Sequence, residues 1–263
     1  MMSKTILNIP NSFVTFYDLV TNAGKSEFIT NTECGIQKDF CYPIYDEKDL
    51  SYQFNVASTE VLTSSNVIAY IVVNGEGSTL TGVTLSIATN GNYLGVPIYN
   101  IYVNYSTSDL TQGLSDGDCF QLQFVIGTNE AELKVLISNQ CFKKVNDKCL
   151  TSKLTYVNTS NAFGFVYRSY GTFPFISVTL NKIRLPLYFK EPNVNGNKTV
   201  YLRSDGSRQL LSARLAKKYK GYIDEVLEET HQNLVIALNH DGVYFATENS
   251  TSLAGMQVRF EDE

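Results

Sequence analysis

The most regular feature along the chain is alternation. Tyr52, Phe54 and Val56 alternate with Ser51, Gln53 and Asn55, a two-residue period that turns one face of a strand to a core and the other to water. Val83, Leu85 and Ile87 repeat the pattern, as do Phe120, Leu122, Phe124 and Ile126 within 119–126. Val67 to Val73 is an almost unbroken apolar run that suits a central strand, and 98–105 mixes Ile, Val and Tyr as strands do. Turn signals separate these runs: Asn74-Gly75, Asn90-Gly91 and Asp116-Gly117-Asp118, built from residues that tolerate positive φ. With 133–137, 163–167 and 175–187 they predict roughly eight to ten strands between Leu50 and Leu187 and no helix. That count suits a large antiparallel β-sandwich, jelly-roll-like in spacing.

The pattern changes on either side. Residues 1–49 are irregular, with Gly24, Gly35 and Pro43 breaking short apolar pieces such as 13–17, and they read as an N-terminal arm. Pro186 and Pro192 flank a short run ahead of the Asn-rich 193–197, which makes 188–198 a linker. The remainder, 199–263, reads as a small α+β domain. Asp205-Gly206 between apolar runs predicts a hairpin, whereas 208–220 fits a strand or a helix, because Lys217 breaks the alternation and helix propensity is high there. Asp224 to Asn239 predicts the one helix: Asp224 caps it, Glu225, Glu228 and Glu229 suit its dipole, and Leu227, Leu234 and Leu238 share a face with His231. Gly242 then ends it, and 243–245 and 256–260 supply closing strands. The expected fold is therefore mainly β, a sandwich over 50–187 joined to the smaller unit.

Composition adjusts this picture. The 263 residues include 17 Tyr and 15 Phe but no Trp, and charged residues make up 18%, below the roughly 25% of an average soluble domain. A surface poor in charge and rich in Tyr, Asn, Ser and Thr suits contact with other proteins. The net charge of −5 argues against a protein that neutralises a phosphate backbone, so no specific nucleic acid is expected. The basic stretch Arg214, Lys217, Lys218 and Lys220, followed at once by Asp224, Glu225, Glu228 and Glu229, reads as a solvated face. No run is long and apolar enough to span a bilayer, and no secretory signal pattern opens the sequence, so no membrane anchor is expected.

Candidate chemistry is sparse. The five cysteines, Cys34, Cys41, Cys119, Cys141 and Cys149, have no CxxC spacing and read as reduced, mostly packed thiols. A zinc site at Cys34 and Cys41 would need two further ligands that their neighbourhood lacks. His231 reads as a packed residue and His240 as a helix-end residue. Asp116 and Asp118 read as turn formers rather than as the paired carboxylates of a glycosidase. Phosphate-loop, dinucleotide, HExxH and EF-hand patterns are absent from the sequence. The expectation is a non-enzymatic chain with no catalytic, cofactor-binding or metal-ligating residue and no cofactor. Tyr99, Tyr102, Tyr105, Tyr167 and Tyr170 leave a second reading open, a sugar-binding platform on the sandwich.

One resemblance extends over about the last 150 residues. The runs 184–188, 200–213 and 237–241 with His231, and more weakly 117–120, 138–139 and 161–165, resemble a family of tail structural proteins of tailed bacteriophages and prophages of Bacteroides-group gut bacteria. It is a pattern of packing and turn residues, not of an active site. The resemblance implies a virion component of the tail, baseplate or head-tail junction, assembled in the host cytoplasm. Its partners would be other tail or connector proteins, and its own copies in a cyclic homo-oligomer, with residues from Thr199 onwards forming the ring. The competing expectation is a carbohydrate-binding or adhesin module that contacts a host-surface glycan.

Overall fold

The computed structural model describes residues 4–9, 12–25, 40–128, 133–149, 151–157, 180–189, 193–218, 221–223, 226, 228–238, 242–246 and 256–257. In chain order the strands are β1 (Thr5–Leu7), β2 (Phe16–Asp18), β3 (Cys41–Ile44), β4 (Ser51–Ala57), β5 (Val67–Val73), β6 (Glu76–Thr79), β7 (Thr84–Tyr93), β8 (Val96–Asn104), β9 (Cys119–Ile126) and β10 (Lys134–Ser138). They continue as β11 (Cys141–Lys144), β12 (Ser152–Val157), β13 (Leu180–Leu185), β14 (Leu187–Phe189), β15 (Asn193–Leu202), β16 (Arg208–Lys218), β17 (Gly221–Ile223), β18 (Gly242–Ala246) and β19 (Met256–Gln257). Among the described residues one helix, α1, spans Glu228–Leu238. The fold is mainly β, as the alternation predicts, and two large sheets share one core.

Among the described residues the larger sheet has eight strands in the order β19-β18-β12-β13-β4-β8-β7, and β1 pairs with the far end of β4. The second sheet has seven: β2-β10-β9-β11-β3, with β5 on the other edge of β9 and β6 beyond it. Its ladders are antiparallel except β3 with β11, which is parallel. Aromatic side chains join the two layers: the Phe54 ring of the larger sheet lies 4.8 Å from Phe16 and 5.2 Å from Phe124 of the smaller one. β9 shows why the period works, since Phe120, Leu122, Phe124 and Ile126 are buried while the residues between them reach the surface.

Two turns obey the rules for tight hairpins. Asn74 and Gly75 both have positive φ, 52° and 87°, and link β5 to β6 as a two-residue connection. Asn90-Gly91 does not form the expected turn. It lies within β7, where the register shifts between Thr89 and Asn92 and Gly91 takes φ 78°, a bulge rather than a chain reversal. The reversal comes later, at Leu94 and Gly95 with φ 50° and 83°, between Tyr93 and Val96.

Three further expectations are corrected. Within 1–49 the described strands enter the two sheets in place of the expected loose arm: β1 pairs with β4, β2 with β10 and β3 with β11. These strands are only three or four residues long, too short to show a period. The polar face of β4 does not meet water either: Ser51, Gln53 and Asn55 are as buried as Tyr52, Phe54 and Val56. Alternation distinguishes two faces without saying what covers each. Nor do all the described elements beyond 199 stand apart from the larger unit. β18 pairs with β12 in the larger sheet, and Leu234 and Ala237 of α1 enter the common core. The expected strands at 163–167 and 258–260 lie outside the described residues.

Candidate interaction surface

The Asp205-Gly206 signal does produce a hairpin, and a long one. Gly206 takes φ 82° and its N–H donates to the Arg203 carbonyl at 3.0 Å, while the Asp205 carboxylate accepts from the Ser207 N–H at 2.8 Å. From this tip β15 and β16 pair from Leu202↔Arg208 to Asn193↔Lys218, with one register shift at Thr199/Val200. The open question at 208–220 is settled as a strand over Arg208–Lys218. At about 3.3 Å per residue the 10 residues of β15 make a ribbon about 30 Å long.

The root of the ribbon is anchored. Beyond Asn193 and Lys218 the two chains pair again as β14 with β17, and the Tyr188 and Tyr222 rings stack at 5.7 Å. Leu187 is buried in the core, and Ile223 packs against it. Pro186 alone separates β14 from β13, so the ribbon grows directly out of the larger sheet.

Its far end shows no such support among the described residues. β15 and β16 pair only with each other among the described residues, and an isolated two-stranded ribbon is marginal in water. At the tip Val200 is 47% exposed, Tyr201 55% and Leu202 62%. Successive strand residues point to opposite faces, so apolar groups are uncovered on both sides. The ribbon carries Lys198, Arg203, Arg208, Arg214, Lys217 and Lys218 against one acid, Asp205, in a chain of net charge −5. This is a basic arm with an apolar tip on an acidic protein.

The residues singled out from the sequence fall elsewhere. Tyr99 and Tyr105 are core residues, and the Tyr105 hydroxyl shares a 2.7 Å hydrogen bond with Tyr52, both phenols raised above their ordinary pKa by burial. Only Tyr102 lies partly open, on the opposite face of β8, so the expected sugar platform does not form from these three; Tyr167 and Tyr170 lie outside the described residues. His231 is exposed, not packed. The buried face of α1 is Thr230, Asn233, Leu234 and Ala237, where Thr230 Oγ1 meets the Tyr42 hydroxyl at 2.8 Å and Asn233 Nδ2 donates to the Ser12 carbonyl at 3.2 Å. Leu234 and Leu238 meet the core as the leucine spacing predicts, and polar anchors complete that face. Asp116 and Asp118 accept from the N–H groups of Asn146 and Ser115, at 2.8 and 2.7 Å, and so brace a turn. His240, Cys34 and Lys220 lie outside the described residues, and Arg214, Lys217 and Lys218 are on β16.

The reading of packed, reduced thiols is corrected. Cys41 and Cys141 form a disulfide across 100 residues, and Cys119 and Cys149 are exposed. Register places the pair side by side on β3 and β11, a relation no local spacing reveals.

A charged group absent from the sequence reading lies where β13 meets the turn before β4. Arg184 donates Nε and Nη2 to the two Asp49 carboxylate oxygens, at 2.7 and 2.9 Å, and Nη1 to Thr151 Oγ1 at 3.0 Å, with neither charged side chain exposed. Asp49 also accepts from the Tyr45 and Asp46 N–H groups. Burial lowers the pKa of neighbouring Lys153 and Lys182, partly opposed by Asp49 and Asp46. Bidentate geometry and saturated partners make this a structural clamp.

No family model, curated protein or solved structure matches this chain.

Proposed function

We propose that this chain is a non-enzymatic structural protein that assembles with neighbouring proteins through its β-ribbon, as a tail, baseplate or head-tail junction component of a tailed-phage virion. The observation that carries the reading is the ribbon: rooted in the core, about 30 Å long, apolar on both faces at its tip and unpaired along its outer edges among the described residues. Free edges favour strand addition by a partner, and exposed Tyr, Val and Leu supply the apolar centre that an interface needs. The basic charge on the ribbon complements an acidic neighbour, and a second copy of this chain is one. The virion assignment rests on the sequence resemblance to phage tail proteins. The partners are then other tail or connector proteins and further copies in a cyclic homo-oligomer.

Native mass spectrometry of the purified protein tests the assembly. The wild type forms a closed oligomer, and replacing Val200, Tyr201 and Leu202 together by Ser returns it to monomer with unchanged circular dichroism. A wild type that remains monomeric in the presence of its tail partners overturns the reading. The sugar-binding alternative loses most of its support with Tyr99 and Tyr105 turned into the core.

A further inference from the structure

On the outer face of the smaller sheet three sulfur atoms converge. Cys41 and Cys141 are register partners on β3 and β11, and Cys119 on β9 stands opposite Lys143, two residues along from Cys141. Alternation therefore turns Cys119, Cys141, Lys143 and Cys41 to one face. On the other face Phe120, Phe142 and Tyr42 pack in the core, with centroids 5.6 Å apart for the first two and 6.0 Å for the last two. Three adjacent strands with packed inner faces hold the three Cβ positions. The Sγ atoms all lie within 4.8 Å of one another, and those of Cys41 and Cys119 are 3.8 Å apart.

We propose that, once its disulfide is reduced, the chain binds one thiophilic d10 cation, with Zn2+ as the reference ion, through Cys41, Cys119 and Cys141. A tetrahedral zinc with Zn–S bonds of about 2.3 Å places its sulfur ligands about 3.8 Å apart, the separation already found between Cys41 and Cys119. A disulfide can serve only two of the three. β11 lies between β9 and β3, which sets the backbones of Cys119 and Cys41 about 9–10 Å apart, beyond the roughly 7 Å that a disulfide spans without backbone movement. A metal ion bridges that gap because it adds two bonds between the sulfurs. Thiolates select such ions, and the exposed side of Cys119 leaves the fourth position to water.

The chemistry balances in two steps. A dithiol reductant gives two electrons and two protons to the Cys41–Cys141 bond and is itself oxidised to a disulfide. Zn2+ then displaces three thiol protons and leaves a site of net charge −1, beside Lys143 on the same face.

The test is equilibrium dialysis of full-length protein against Zn2+ after reduction and anaerobic removal of the reductant, with Co2+ substitution followed by absorption. The expected result is one Zn2+ per reduced chain, thiolate-to-cobalt charge transfer, and no binding to the oxidised protein. Cys119→Ser, at an exposed position, weakens binding by more than about tenfold, while Cys149→Ser, outside the trio, leaves it unchanged. Absence of Zn2+ from the reduced wild type, equal binding by the oxidised protein, or equal loss in both variants would overturn the proposal.

Discussion

Removing the Arg184 guanidinium is the sharpest test of how this fold is held together. Arg184→Met keeps most of the side-chain volume but leaves the Asp49 carboxylate fully buried, with the Tyr45 and Asp46 N–H groups, at 2.8 and 3.1 Å, as its remaining donors among the described residues. Breaking one side of a buried pair costs about 3–5 kcal/mol, because the remaining charge has neither its partner nor water. Replacing both sides, Asp49→Leu with Arg184→Met, removes the stranded charge and is expected to fall well short of the sum of the two single changes. The chain has no Trp, so urea unfolding is followed by far-ultraviolet circular dichroism and tyrosine fluorescence, and the midpoint is compared at unchanged slope. At the scale of a chain this long the single variant also melts about 6–20 °C lower. A loss under about 1 kcal/mol in Arg184→Met, or full additivity in the double variant, would refute the reasoning.

Three other outcomes follow from the same geometry. Tyr105→Phe leaves the buried Tyr52 hydroxyl without its 2.7 Å partner and is expected to cost about 1–3 kcal/mol, with the double change to Phe costing less than the two singles combined; denaturant midpoints measure both. Gly82→Ala forces φ 68° on an L side chain and brings the new Cβ to 2.2 Å from the Thr107 carbonyl oxygen, so thermal melts should show a loss above the roughly 1–2 kcal/mol of the backbone strain alone. Hydrogen bonds from Lys4, and then from Thr128, hold the Glu60 carboxyl below its ordinary pKa. Its contribution is therefore complete above the unfolded value of about 4.3 and disappears as pH falls through the lower folded value. Melts in that acid range should flatten in Glu60→Gln, and an unchanged slope contradicts the assignment.

The parts of the fold that were legible in the sequence are those set by neighbours along the chain. The period in β9, the Asn74-Gly75 turn and the Asp205-Gly206 hairpin depend on residues within a few positions of one another, and each reappears in the structure. Pairings between distant segments leave no such trace. Nothing in the three-residue β1 or β2 announces a place in a sheet, and β3 finds its parallel partner about 100 residues later. The Asp49–Arg184 clamp and the sulfur trio are hidden for the same reason, since each joins residues that only strand order brings together. On helix α1 Leu234 and Leu238 meet the core as the pattern predicts, whereas His231 is exposed, and Thr230 and Asn233, polar by composition, face inward to hydrogen-bond partners. The ribbon's turn was visible, whereas its having no further strand partner among the described residues was not.

Zero-length carbodiimide cross-linking, which joins lysine amines to carboxylates, tests the assembly claim most directly when read by mass spectrometry on mixed light and heavy isotope-labelled protein. Lys198, Lys217 and Lys218 lie on the ribbon, so light-to-heavy links from these residues to acidic residues of a neighbouring copy are the predicted result. Links between copies that arise only from lysines of the two large sheets, with the ribbon lysines silent, would contradict it.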